Sequence, residues 1–257
     1  MEIEYEDNPI LEKRFKKESD RKTFAKVFDK QTLDTIHDLA QKGHFDVLEH
    51  IISTGKEAHV FAATDLAGRT RAVKIYKKET TNFKRMNEYI AGDHRFGKIK
   101  TDIRNLINSW AKKEFKNLLE ATHAKLNVPL PLAFKNNIVV MEFIGKNSTP
   151  APRLKETNPT PKELENYYEQ TINFIVKYYM AGLIHSDLSE YNILVKEKKL
   201  WFIDFAQAVI TSHPKSKEFF ERDILNMSTY FAKKGVKTNY EKMYSDIKQR
   251  KKEIEKK

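Results

Sequence analysis

The sequence predicts an α+β chain in which a strand-rich stretch with one helix is followed by a mainly helical stretch. Three observations predict it. Short apolar runs separated by small and turn-forming residues fill 47–76 and 132–143, and apolar residues at helical spacing mark 102–118, 160–182 and 217–234. Beyond the second of those helices lies a polar stretch, His185-Ser186-Asp187-Leu188-Ser189-Glu190-Tyr191-Asn192, which leads into two further apolar strands.

Composition sets the outer limits. With 257 residues, 40% of them hydrophobic, the chain can bury a sizeable core as one domain or two packed lobes. There is no cysteine, which excludes disulfides and thiolate metal sites. An acidic N-terminus and the lack of any membrane-length apolar run lead us to expect a soluble, cytoplasmic chain with no membrane partner. The formal charge of +11 has two readings: lysine that only solubilises, or a polyanionic partner such as RNA.

Residues 1–44 read as a helical extension that packs on the part that follows. Phe24, Val27 and Phe28 share a face in Ser19–Phe28, and Leu33, Ile36, Leu39 and Ala40 do so in Gln31–Lys42, before a stop at Gly43. His37 and His44 are isolated and read as structural or solvent-facing. Strands are expected at Val47–Ile52, His59–Thr64 and Thr70–Tyr76. The first two flank Ser53-Thr54-Gly55-Lys56-Glu57-Ala58, which reads either as a plain hairpin turn or as a cradle laying backbone N–H groups and Lys56 on phosphates. Ala72-Val73-Lys74-Ile75 favours the cradle, because it is similar to the kinase strand whose lysine pairs with nucleotide phosphates.

Between Glu79 and Lys100 no clean period is visible, and the reading is a mobile basic loop. Lys84, Arg85, Arg95, Lys98 and Lys100 interleave there with Phe83, Tyr89 and Phe96, a mixture that suits RNA or merely a solvated loop tip. The helix from about Asp102 carries Ile103, Leu106, Ile107, Trp110, Ala111 and Leu118 on one side, and Glu114 falls on that same apolar side. A carboxylate facing inward needs a cation, and Lys74 is the expected one; Glu120, near the helix end, is the competing acid.

After the break at Asn127–Pro131, strands are expected at Leu132–Phe134 and Ile138–Phe143, joined by Asn136-Asn137. In a kinase reading the backbone carbonyl of Glu142 and the N–H of Ile144 face the adenine. Thr160, Pro161 and Glu163 form a capping box that opens a helix ending at Gly182. A long helix at about Lys217–Lys234, with Arg222 and Asp223 paired inside it, and a basic tail at Lys248–Lys257, read as a solvated or frayed helix or as an RNA contact, complete the chain.

The chemistry is concentrated around the polar stretch. Strands Ile193–Val195 and Leu200–Ile203, joined by Lys196–Lys199, form a hairpin that returns Asp204 to the side of Asn192. An amide and a carboxylate there offer hard oxygens to Mg²⁺ or Mn²⁺, and Asp187 just before them can orient a hydroxyl for in-line attack. Taken singly, Asp187 could cap a turn and Asp204 could sit in a salt bridge. Their spacing matches H-x-D-x-x-x-x-N and the later D-F of kinases.

Together, S-T-G-K-E-A at 53–58, Lys74, Glu114, the Glu142 segment, H-S-D-L-S-E-Y-N and I-D-F-A-Q resemble the RIO family of atypical protein kinases, most closely its first subfamily, over roughly residues 45–235. The short form suggests an archaeal member. The resemblance implies a trimmed bilobal protein-kinase-like fold, with an extension at 1–44, an N-lobe at 45–144 and a short C-lobe at 145–257. It implies ATP contacts from Ser53, Gly55, Lys56, Glu57, Ala58, Lys74, Glu142 and Ile144, an active-site Asp187, and Asn192 and Asp204 as ligands of Mg²⁺ or Mn²⁺. It further implies serine/threonine kinase or ATPase activity toward a protein serine or the chain itself, aspartyl-phosphate formation at Asp204, and partnership with the pre-ribosomal small subunit and its rRNA.

Departures from ordinary protein kinases narrow this expectation. Ser186 stands where an arginine usually receives an activation-loop phosphate, Ala206 replaces the glycine of D-F-G, and no A-P-E segment follows. Two other readings compete: a small-molecule phosphotransferase of the aminoglycoside and choline kinase type, and a non-enzymatic RNA-binding assembly factor. The short C-lobe and the 53–58 loop argue against the first. The presence of Lys74, Asp187, Asn192 and Asp204 together argues against the second.

Overall fold

The computed structural model describes residues 28–78, 83–96 and 102–256, with the side chains of 83–85 left aside. Its elements in chain order begin with α1 (Lys30–Gln41), β1 (Val47–Thr54), β2 (Ala58–Thr64), β3 (Thr70–Tyr76), α2 (Phe83–Ile90), α3 (Ile103–His123), β4 (Pro131–Lys135) and β5 (Ile138–Glu142). There follow β6 (Gly145–Lys146), β7 (Thr149–Pro150), α4 (Pro161–Met180), β8 (Leu183–Ile184), β9 (Ile193–Lys196), β10 (Lys199–Phe202), β11 (Val209–Ile210), α5 (Ser216–Lys233) and α6 (Tyr240–Glu255). The expected α+β class is what is found. The described residues form two compact units: 28–78, 83–85, 102–115 and 130–150 in one, and 86–96, 116–129 and 151–256 in the other.

The first unit is a five-stranded antiparallel sheet, ordered β1-β2-β3-β5-β4, with α1 against one face. Asp29 caps α1 by accepting from the Thr32 N–H at 2.9 Å. Leu33, Ile36 and Leu39 lie on one stripe of that helix and bury against Leu48, Phe61, Val73, Ile75, Ile138 and Val140 of the sheet. This is the packing expected of the extension's second helix. Its first, around Ser19–Phe28, lies outside the described residues apart from Phe28, which is buried in the same core.

Beyond Glu142 the chain makes a small hairpin, β6–β7, that sequence reasoning missed. Its two turn residues, Asn147 and Ser148, both have positive φ, and Ser148 O accepts from His50 Nε2–H at 3.1 Å. Gly145 has no substitute there, because a Cβ would lie 2.2 Å from Thr149 O and 2.5 Å from the Phe143 ring.

In the second unit α4 is the central helix. Its capping box is formed as expected, with Glu163 N–H donating to Thr160 and the Glu163 carboxylate accepting from Thr160 N–H at 3.0 Å. Phe174 on its buried face stacks on Phe202 of β10 at 3.7 Å, which seats the β9–β10 hairpin on the helix. The hairpin turn uses Glu197 and Lys198, both at positive φ, where the sequence has no glycine or asparagine to announce it.

Two expectations need correction. Residues 83–90, expected as loop, form a helix: Met86, Tyr89 and Ile90 are buried at helical spacing, a short stripe obscured by the surrounding lysines and arginines. The stretch after Lys234, expected to hold only a basic segment with a solvated or frayed helical tail, forms α6, which begins at Tyr240, is capped by Asn239 and buries Met243 and Ile247. Among the described residues no helix is long and apolar enough to cross a membrane.

Candidate active site

The first unit presents a lysine held by a buried acid. Lys74 lies in β3 opposite Val60 and Val139, and its ammonium donates to Glu114 Oε1 at 2.8 Å. Glu114 is 1% exposed, and its other oxygen accepts from the Tyr76 hydroxyl at 2.5 Å. A buried carboxylate is tolerated only with such partners. Glu120 plays no part in this pair.

The 53–58 segment bridges β1 and β2. Gly55 N–H donates to Ala58 O at 2.9 Å, closing the turn around Lys56 and Glu57, while Lys56 itself is exposed. Lys77, which the sequence did not single out, holds the loop from the β3 side: its ammonium donates to Gly55 O at 2.7 Å and its backbone N–H to Glu57 O at 2.8 Å. On the other side of β3, Glu142 ends β5, with its N–H bound to Leu130 O at 2.8 Å and its carboxylate accepting from Leu130 N–H at 3.2 Å. Ile144 is buried two residues further on.

The second unit brings the polar stretch together. Asn192 Nδ2 donates to the backbone oxygen of Asp187 at 2.8 Å and to its carboxylate Oδ2 at 3.2 Å. Gln207 Nε2 donates to the same Oδ2 at 3.1 Å. Ile203 N–H donates to Asn192 O at 3.0 Å, so the residue before Asp204 is tied to Asn192. Asp204 sits at φ 66, a conformation that costs a non-glycine residue energy and is typical of functional positions. His185, packed beside Phe205 at 4.8 Å, meets Ile203 O through Nε2 at 3.1 Å.

Against this loop lie two side chains that the sequence offered only as a pair within their helix. The Asp223 carboxylate accepts from the backbone N–H groups of Ser186 at 2.8 Å and Leu188 at 2.9 Å, and Arg222 donates to Ser186 O. The expected Arg222–Asp223 pair inside α5 is thus replaced: each grips the backbone of the loop, and Ser186 between them is held at φ 67. Burial pushes the Asp223 carboxyl up to about 7, against the opposing pull of its two N–H donors and Arg222. The signal was available, since Phe219, Asp223, Met227 and Phe231 share a buried stripe at i, i+4, i+8 and i+12.

Asn117 performs a parallel task for the segment after Asp204. Fully buried, it donates to Phe205 O at 2.9 Å and Ala208 O at 3.0 Å, and accepts from Arg95 at 2.9 Å. Arg95 also binds Asp93 through Nε and Nη2. The expectation of Arg95 as an RNA contact is therefore corrected to an internal anchor. Lys98 and Lys100 lie outside the described residues, and the side chains of Lys84 and Arg85 are not described.

The donor set suits a hard divalent cation. Asn192 commits its nitrogen to Asp187, which leaves its carbonyl oxygen as the end to offer a ligand, and Asp204 adds a carboxylate. Among the described residues no group of three or more His, Cys, Asp or Glu could hold an ion. Two protein oxygens are what a Mg²⁺ ion needs when phosphates and water complete its shell.

Comparison with known proteins gives a consistent answer. The RIO domain family model matches residues 59–243. The RIO-type serine/threonine-protein kinase Rio1 of Methanocaldococcus jannaschii is 41% identical over 249 residues, covering 96% of this chain and 84% of that protein. Rio1 of Haloferax volcanii is 38% identical over 237 residues, covering 91% and 80%. The human serine/threonine-protein kinase RIO1 is 35% identical over 226 residues, covering 87% of this chain but 40% of that protein, so this chain spans less than half of it. Among solved structures, the Rio2 kinase of Chaetomium thermophilum in an ADP/Mg²⁺-phosphoaspartate complex shares the fold at a TM-score of 0.64 and 22% identity, covering 82% of this chain and 61% of that one.

Proposed function

The chain belongs to the RIO family of atypical protein kinases, and from that premise we propose that it transfers the γ-phosphate of ATP to a serine or threonine hydroxyl, or to water, with a divalent metal. The observation that carries the proposal is the Asp187–Asn192–Gln207 network tied through Ile203 to Asp204. It gives the second unit a fixed carboxylate and two ligand oxygens, while Lys74, fixed by Glu114, supplies the first unit's positive charge for phosphates.

Phosphoryl transfer asks little covalent chemistry of the protein and much positioning. In this reading Lys74 and the backbone of the 53–58 loop bind phosphate oxygens, and the Glu142 carbonyl and Ile144 N–H take the adenine edge. Asp187 orients the attacking hydroxyl. Asn192 and Asp204 hold Mg²⁺ or Mn²⁺, which supplies charge neutralisation on the phosphates. The aspartyl-phosphate named for the Chaetomium protein makes Asp204 the candidate for the same modification. The +11 charge supports a polyanionic partner, and the family resemblance supports the pre-ribosomal small subunit and its rRNA, in the cytoplasm, as that partner.

The test is ATP turnover titrated with Mg²⁺, with and without small ribosomal subunits, in the wild type and in Asp204→Asn. Removing one ligand charge should move the metal requirement to higher concentration by about tenfold or more. An unchanged metal dependence in that variant would count against the assignment, and a response to subunits that salt does not weaken would count against RNA as partner.

A further inference from the structure

Gln207 belongs to the network around Asp187 but has been given no part in the chemistry, and two features of its side chain bear on one. Its Nε2 donates to Asp187 Oδ2 at 3.1 Å, the same oxygen that Asn192 approaches at 3.2 Å. Its Oε1 is buried and has no hydrogen-bonding partner among the described residues. The first feature restrains the carboxylate that must orient the attacking oxygen. The second is unfavourable for folding, because a buried acceptor that has lost water and gained nothing is a net cost. A buried group of this kind calls for an explanation, and a ligand that brings the missing donor is one.

The neighbouring residues show that the position is under tight control. Asn117 holds the carbonyls of Phe205 and Ala208 on either side, and Ala206 and Ala208 are buried, so the backbone that carries Gln207 has little room to move. The side chain emerges from a fixed platform beyond Asp204, Phe205 and Ala206 and reaches Asp187 with one end of its amide. The other end, the carbonyl oxygen, is left without a partner among the described residues.

We propose that Gln207 is a positioning residue for phosphoryl transfer: its amide N–H sets the orientation of Asp187, and its carbonyl oxygen accepts from the incoming hydroxyl or water. A carboxylate alone leaves an attacking oxygen free to swing about a single hydrogen bond. Two acceptors fix its direction, and direction governs how often bound reactants reach an in-line geometry. The inference rests on the kinase reading given above.

The experiment compares wild type with Gln207→Met and Gln207→Glu, measuring kcat, KM for ATP and the thermal melt, with Asp187→Ala as reference. Methionine fills the space without an amide, so it removes the unsatisfied oxygen and the bond to Asp187 together. The expected result is a fall in kcat of about tenfold or more with KM for ATP within about twofold and a melting temperature no lower than wild type. Glutamate replaces the N–H by an oxygen facing Asp187 and should lower kcat further. A purely structural role would lower stability and ATP affinity along with turnover, and that pattern overturns the inference. So does wild-type kcat in both variants. If Asp187→Ala is also fully active, or the wild type shows no metal-dependent turnover, the kinase reading itself fails and this inference with it. If Asp187 proves essential and Gln207 does not, only the inference is lost.

Discussion

In each unit a buried acid holds part of the candidate site in place, Glu114 in one and Asp223 in the other, and the two do so by different physics. Glu114 neutralises the ammonium of Lys74 and accepts from the Tyr76 hydroxyl, so its partners are side chains. Asp223 accepts from the backbone N–H groups of Ser186 and Leu188, so what it fixes is the path of the chain around Asp187. The first aims a charge and the second shapes a loop. An acid that pairs with a side chain can be answered by a change at that partner. One that satisfies backbone donors cannot, because the donors remain whatever residues occupy the loop.

The largest effect is therefore expected at Asp223. Asp223→Ala leaves two buried N–H groups without acceptors, and a loss of about 3–5 kcal/mol in a chemical denaturation series is expected. No change at Ser186 or Leu188 should recover it. A loss below about 1 kcal/mol would mean that water enters to replace the carboxylate, and the contrast between the acids would weaken.

A smaller loss is expected at Glu114. Glu114→Gln keeps an acceptor for Lys74 but removes the opposing charge, which should cost about 2 kcal/mol and reduce turnover. Combining it with Lys74→Met removes the unpaired ammonium and should return the melting temperature toward wild type while turnover stays low. Failure of that rescue would show that Glu114 acts through something other than Lys74.

How far these features could be read from the sequence follows the same division. Glu114 was legible because it lies on an apolar helical stripe and a lysine in an Ala-Val-Lys-Ile strand was waiting for an acid. Asp223 lies on an equally clear stripe with Phe219, Met227 and Phe231, yet its partners are backbone amides, which have no signature in a sequence. Asn117 was missed for the same reason, since it binds the carbonyls of Phe205 and Ala208. Lys74, Asp187, Asn192 and Asp204 stood out by spacing. The helix at 83–90 and the Asn147-Ser148 hairpin did not: the helix is short and flanked by charge, and the hairpin turn follows a stretch that reads as extended.

A last expected effect separates the acids by pH. Burial raises the Asp223 carboxyl from the ordinary 3.8 to about 7, so between those values the folded chain keeps a proton that the unfolded chain has released. The stability contributed by this group is fullest below the unfolded value and is lost as pH rises toward about 7. The difference in melting temperature between wild type and Asp223→Asn should therefore shrink as pH is raised from 4 to about 7 and level off above it. A difference that grows over that range would show that the two N–H donors outweigh burial and that the carboxylate is ionised throughout.

The measurement that bears most directly on the whole account is Asp187→Ala, assayed for ATP binding by titration and for phosphoryl transfer under single-turnover conditions. Phosphates are assigned to Lys74, the 53–58 loop and the metal ligands, so affinity for Mg-ATP should stay near wild type. Transfer should fall by about a hundredfold or more, because orientation of the attacking hydroxyl is lost. A folded Asp187→Ala protein that binds ATP and still transfers phosphate at the wild-type rate would contradict the assignment of the site.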